Sequence, residues 1–151
     1  MQKGLNRFAH SVGQNAYHLV WKPKYGYSRF SSDHFRSVCE GTIKLIALQY
    51  GFKVYELQVM PDHIHLFVEC PPTICVSKAL QLFKGISSRI LRRNFSYLRR
   101  YKCLWSPGKF FRSVGNVTSD TITAYIKQSQ GTWKFHNGNL PDYHRKTVVA
   151  V

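Results

Sequence analysis

Residues 52–70 read FKVYELQVMPDHIHLFVEC, two apolar, strand-like runs on either side of Met60-Pro61-Asp62. Successive side chains of a strand point to opposite faces, so each run sorts by parity. In the first run, Phe52 to Val59, one face holds Tyr55, Leu57 and Val59. In the second, His63, His65 and Phe67 share a face, with Ile64, Leu66 and Val68 on the other. The Met-Pro-Asp between them suits a short turn, because proline presets φ and aspartate favours turn backbone. The stretch therefore predicts a β-hairpin with two imidazoles side by side on one face. Two neutral nitrogen donors at i, i+2 can begin a metal site but not complete one. A histidine on a half-buried strand is more often an ordinary hydrogen-bonded side chain, and spacing alone leaves both readings open.

Outward from this hairpin the chain alternates strand and helix signals. NAYHLVWKP, Asn15 to Pro23, sets Tyr17, Leu19 and Trp21 against His18 and Val20, a first strand stopped by Pro23. After the loop KYGYSRF, Ser32 or Asp33 can cap a helix running to about Tyr50, with Cys39, Ile43, Ile46, Ala47 and Tyr50 as its apolar stripe. Gly51 suits the position that ends it. CPPT breaks the strand that carries the histidines. A second helix is predicted from about Val76 to Phe95, with Leu80, Phe83, Ile86, Ile90 and Leu91 inward and the arginines outward. KFFRSVG reads as a fourth strand. Thr118 or Ser119 can cap a third helix, SDTITAYIKQSQ, ending near Gly131, and a polar, turn-rich tail follows. The order βαββαβ plus a terminal helix is an α+β plan: the split βαβ, ferredoxin-like (RRM-like) arrangement of one antiparallel sheet with helices mainly on one face. No repeat or linker interrupts it, so a single domain is expected over 1–151, with its core at about 15–131 and a tail at 132–151.

Charge is the strongest global signal. The chain has 22 Lys and Arg against 7 Asp and Glu, a formal charge of +15. From Cys70 to Ser119 there is no acidic residue, while Lys78, Lys84, Arg89, Arg92, Arg93, Arg99, Arg100, Lys102, Lys109 and Arg112 fall within that stretch. A one-signed surface of this kind fits a polyanion, and nucleic acid is the usual one. No run approaches the roughly 18 apolar residues of a membrane helix, and MQKGLNRFAH lacks the apolar core of a signal peptide. An intracellular, cytoplasmic and nucleoid-associated place, with no membrane partner, is the expectation. Cys39, Cys70, Cys75 and Cys103 show no CxxC spacing and read as reduced, mostly buried thiols.

Four segments in order carry a family resemblance: YHLVWKPKY (17–25), MPDHIHLFVE (60–69), LWSPGKFFRSVG (104–115) and AYIKQSQG (124–131). The chain resembles the single-tyrosine HUH transposases of insertion sequences that move as single strands. The resemblance covers roughly Tyr17 to Gly131, nearly the whole chain. It implies that His63 and His65 bind a divalent cation, Mg²⁺ or Mn²⁺, with no nucleotide cofactor. It places the nucleophile at Tyr125 and implies a 5′-phosphotyrosine link that leaves a free 3′-OH. It further implies recognition of imperfect DNA hairpins at element ends, cleavage of the adjacent single strand, and a homodimer whose active sites can be assembled in trans.

One position departs from the family pattern. The glutamine that usually follows the tyrosine by four residues, completing the metal site, is here Ser129, flanked by Gln128 and Gln130. On a helix, the residue three on sits about 60° from the tyrosine, that four on about 40° to the other side and that five on about 140° away. Gln128 is therefore expected as the third ligand, with Gln130, or Ser129 through a water, as alternatives. Asp62 can orient an imidazole, join the metal shell or simply form the turn.

The chemistry can be argued from the residues. A phenol with a pKa near 10 is a poor nucleophile at neutral pH, and a cation on a non-bridging phosphate oxygen makes the phosphorus attackable. The resulting ester keeps the energy of the phosphodiester, so strands can be rejoined without ATP. Lys84, Arg89, Arg92, Arg93, Arg99, Arg100 and Lys127 are the expected DNA contacts, with Tyr97, Tyr101 and Trp105 interleaved for stacking on bases, some of these aromatics packing the core instead. The rival readings are a non-catalytic nucleic-acid binder on the same fold, a repeat-associated tyrosine nickase and a decayed copy. The first lacks any RNP-type motif and gives paired histidines no purpose.

Overall fold

The computed structural model describes residues 5–8, 11–24, 32–115, 120 and 123–124. Among those within residues 5–115, six strands and two α-helices follow in the order β1 (Asn6–Phe8), β2 (Ser11–Gly13), β3 (Ala16–Trp21), α1 (Asp33–Tyr50), β4 (Lys53–Val59), β5 (Ile64–Glu69), α2 (Val76–Asn94) and β6 (Phe110–Val114). The last four strands form one sheet in the order β4-β5-β3-β6, every neighbouring pair antiparallel. In core terms this is second-third-first-fourth, the predicted split βαβ arrangement. The N-terminal pair β1-β2 is a separate hairpin, not foreseen in the sequence. It is tied to β4 by Asn6 Nδ2, which donates to the Tyr55 hydroxyl at 3.1 Å.

Local signals account for the helix ends. The Ser32 hydroxyl accepts from the Phe35 backbone N–H at 3.1 Å, satisfying one of the orphan donors of the first turn of α1. At the other end Gly51 takes φ 76°, the left-handed conformation that closes helices at low steric cost only for glycine. Helix α2 stops at Asn94 and not at the predicted Phe95, which has extended backbone. A 3-10 turn, Ser96–Arg100, follows it, also unread in the sequence.

Both helices pack on one face of the sheet. Leu19, Trp21, Ile64, Leu66 and Val68 bury there against Phe35, Ile43, Ile46, Leu80, Phe83 and Leu91. Ile86 is only partly buried, and Ser87 is buried in its neighbourhood instead. The Ser87 hydroxyl accepts from Trp105 Nε1 at 2.9 Å, so a buried serine closes the core. Leu98, Leu104 and Trp105 extend that core beyond α2. Backbone bonds from Lys24 N to Leu104 O and from Ser106 N to Lys22 O, 2.9 and 2.8 Å, tie this segment to the end of β3.

The predicted parity of β4 fails at one residue. A register shift between Val54 and Glu56 makes Tyr55 an extra residue, a bulge that flips the side-chain sequence by one. Leu57 stays on the helix side with Val54, while Tyr55 packs with Ala16, Phe67 and Val114 on the opposite face. The cysteines also depart from expectation. Cys39 and Cys70 are buried, which pushes both thiols up to about 12, but Cys75 and Cys103 are exposed. No helix among the described residues is long and apolar enough to cross a membrane.

Candidate active site

The histidines lie where the β4-β5 hairpin meets the strand β3. His63 sits just before β5, its carbonyl accepting from Met60 N at 2.8 Å and so closing the turn. His65 lies within β5, paired with Val20 of β3 on one side and Gln58 of β4 on the other. Alternation puts both on the sheet face opposite α1 and α2. The two rings meet edge to face with centroids 4.3 Å apart. Both are buried, His63 at 7% exposure and His65 at 1%.

Each imidazole is anchored through the same ring atom. Nδ1 of His63 stands 2.6 Å from Asp62 Oδ1. Nδ1 of His65 stands 3.1 Å from Nε2 of His18. His18 is not among the predicted site residues, because it lies 47 positions away and becomes a neighbour only through the pairing of β3 with β5. Its one signal in the sequence was its place on the minor face of the first strand. The His18 ring lies on Phe67, centroids 4.4 Å apart and planes within 4°, and meets Phe110 edge-on at 6.0 Å. These stacked rings shield the open face, so His18 is only 1% exposed.

Burial sets the charge of the cluster. Removal from water, reinforced by Arg112 and then His63, lowers His18 from 6.5 to about 4. Removal from water, followed by His63 and His18, lowers His65 to about 2. Both rings are therefore neutral at pH 7, and one proton lies between them. If it resides on His65 Nδ1, the lone pair of that ring is at Nε2. In His63 the second ring nitrogen, Nε2, is buried without a hydrogen-bond partner among the described residues.

This donor set fits a divalent cation. Two imidazoles, each held at Nδ1 by a second group, are the usual arrangement behind metal-binding histidines. Among the described residues no group of three His, Cys, Asp or Glu is placed to hold a metal. The pair alone is thus part of a site. The predicted completing residues, Gln128, Ser129 and Gln130, lie outside the described residues, as do Tyr125 and Lys127. Asp120, Thr123 and Ala124, just before the tyrosine, have helical backbone.

The other predicted contacts fall on the far side of the sheet. Lys84 is half-buried, which lowers its pKa, with Lys109 adding to the effect. Its ammonium donates to Ser106 O at 2.8 Å and to Gly108 O at 3.5 Å. Arg92 and Arg99 also reach backbone carbonyls, while Arg89, Arg93 and Arg100 are exposed.

A family model described as IS200-like transposase matches residues 11–129. The transposase of insertion sequence element IS200 from Salmonella typhimurium is 33% identical over 122 residues, covering 79% of each chain. The ISDra2 transposase TnpA of Deinococcus radiodurans is 30% identical over 122 residues, 77% of this chain and 84% of that one. A crystal structure assigned as a transposase from the same organism superposes with a TM-score of 0.65 at 27% identity, covering 82% of this chain and 96% of that one. A REP-associated tyrosine transposase bound to a REP hairpin shares the fold, with a TM-score of 0.56 at 13% identity over 95% and 86% of the two chains. With most of its length matched by the family model, the chain belongs to the IS200-like transposases.

Proposed function

We propose that this protein is a DNA strand transferase that cuts single-stranded DNA beside hairpins at insertion-sequence ends and rejoins it through a tyrosine ester. The observation that carries the reading is the paired site: His63 and His65, buried edge to face, anchored at Nδ1 by Asp62 and His18. His63 and His65 would hold Mg²⁺ or Mn²⁺ through Nε2, with Gln128 as third ligand and Gln130 or Ser129 in reserve. The bound cation would draw charge from a non-bridging phosphate oxygen.

The chain's own residues do the rest. The Tyr125 hydroxyl attacks the phosphorus and gives its proton to solvent, the P–O bond to the 3′ oxygen breaks, and that oxygen takes up a proton from solvent. A 5′-phosphotyrosine and a free 3′-OH result. A second 3′-OH then attacks the ester, restoring a phosphodiester and the phenol, so no external energy source enters the cycle. Asp62 and His18 keep the two imidazoles oriented through both steps. The basic face of α2 and Lys127 bind the DNA backbone. A homodimer, with the Tyr125 helix of one subunit completing the partner's site, is part of the proposal. It rests on the family resemblance, as does the hairpin substrate; a fold neighbour at 13% identity is itself bound to a REP hairpin.

A covalent-adduct assay tests it. Wild type and Tyr125→Phe are incubated with labelled single-stranded DNA carrying the element's end hairpin, with Mg²⁺, with Mn²⁺ or with EDTA. A protease-sensitive protein–DNA band is expected with metal and wild type only. Hairpin binding without any adduct, whatever the metal, would leave a DNA-binding protein and end the strand-transferase reading.

A further inference from the structure

A second constellation stands at the C-terminal end of α2, on the helix side of the sheet and so across it from the histidines. Arg89, Arg92, Arg93 and Arg99 line a shallow, open cavity of about 390 Å³, and among the described residues no other residue type contributes to its wall. The four are not equivalent. Arg92 donates to Tyr101 O at 2.6 Å and to Lys102 O at 3.2 Å, pinning the segment that follows the 3-10 turn. Arg99 donates to Arg92 O and Arg93 O at 3.2 and 3.3 Å, satisfying carbonyls that the end of a helix leaves orphaned. Arg89 and Arg93 are exposed one turn apart on the same helix face.

The ordinary account of cations here is the helix dipole, which favours them in the last turn. It covers Arg92 and Arg93 but not Arg89, a turn further in, nor the convergence of four guanidinium groups on one cavity. Among the described residues the ion pairs are Arg36 with Asp33 and His63 with Asp62, so none neutralises this cluster. Four like charges around one hollow repel one another, and an anion seated in it relieves that repulsion. A guanidinium fork matches two phosphate oxygens at once, as an ammonium cannot.

We propose that this cavity is a binding site for phosphodiester groups of the DNA backbone, with Arg89 and Arg93 on the phosphates and Arg92 and Arg99 holding the wall in shape. The assignment rests on the DNA reading above and sharpens it. Of the basic residues on this helix end, two touch DNA and two are scaffold. Sequence could not separate them, because the carbonyls that occupy Arg92 and Arg99 belong to backbone geometry.

Fluorescence anisotropy decides the matter with two labelled probes of equal length, an end-hairpin oligonucleotide and an unstructured single strand, across a salt series. The Arg89→Ala/Arg93→Ala variant is expected to bind about tenfold more weakly. Its salt slope should fall by about 1.4–1.8, the loss of two phosphate contacts. Equal loss on both probes assigns the site to any strand, and loss on the hairpin alone to the stem. The double lysine variant should recover the slope but not the full affinity. Arg92→Ala should instead lower Tm by about 3 °C. If wild type binds while the double alanine variant keeps both affinity and slope, this site is overturned and the strand-transferase reading stands. If wild type binds neither probe, both fall.

Discussion

Replacing His18 by phenylalanine isolates what the third histidine does. The new ring can keep the stack on Phe67, where centroids stand 4.4 Å apart and the planes within 4°. What it removes is Nε2, the atom 3.1 Å from Nδ1 of His65. A buried polar atom stripped of one partner costs about 1–3 kcal/mol. At the middle of that range Tm should fall by about 6 °C for a chain of this size. The effect on metal should be more specific. Loss of the group behind a metal-binding histidine weakens affinity by about 10–100-fold, or about 1.4–2.7 kcal/mol. His18→Gln, which retains a polar atom in place of the ring nitrogen, should recover part of that affinity. Mn²⁺ titration followed by electron paramagnetic resonance gives the affinities without recourse to activity, and thermal unfolding in EDTA gives the stabilities. If the folded phenylalanine variant binds Mn²⁺ within twofold of wild type, the ring serves packing alone and the argument about His65 is wrong.

Two further outcomes follow from burial and backbone. With metal removed, the contribution of these two rings to stability should be flat between about pH 6.5 and 8 and fall below that window. His18 and His65 have folded-state values depressed to about 4 and about 2, so the unfolded chain binds protons first as pH drops and gains on the native state. Each ring contributes a slope of up to about 1.4 kcal/mol per pH unit, that of His18 levelling off near pH 4. Urea titrations at pH 7.5, 6 and 5 check this, and equal stability at all three would show that the rings are not desolvated. Gly51→Ala should lower stability by about 1–2 kcal/mol, because φ 76° is strained for any residue with a Cβ. Space is not the issue there, since the nearest atom, Pro71 Cγ, is at an ordinary 3.6 Å. An unchanged urea midpoint would mean that the chain closes α1 in another way.

The features legible in the sequence are those set by neighbours along the chain. Parity placed His65 and Phe67 on one face of β5 and Ile64, Leu66 and Val68 on the other, because alternation is a property of any extended backbone. Ser32 and Gly51 marked the ends of α1 because capping is chemistry within one turn. The order of strands and helices then left few topologies, and the observed sheet is the expected one. What failed depended on distant partners. Tyr55 changed face because a bulge in β4 is a compromise with β5, and no residue of β4 announces it. Ser87, absent from the predicted apolar stripe of α2, is buried because Trp105, 18 positions later, brings a donor to its hydroxyl.

The site divides along the same line. The His-Ile-His run and the unneutralised arginines of α2 are facts of sequence, since composition and local spacing suffice to state them. That His65 is backed by His18 follows from the antiparallel register of β3 and β5, in which residue 18 faces 67 and residue 20 faces 65. That Arg92 and Arg99 are spent on carbonyls, while Arg89 and Arg93 point outward, depends on how the chain turns after α2. A side chain's identity and parity are local, but its hydrogen-bond partner is chosen by whatever backbone the fold brings within about 3 Å.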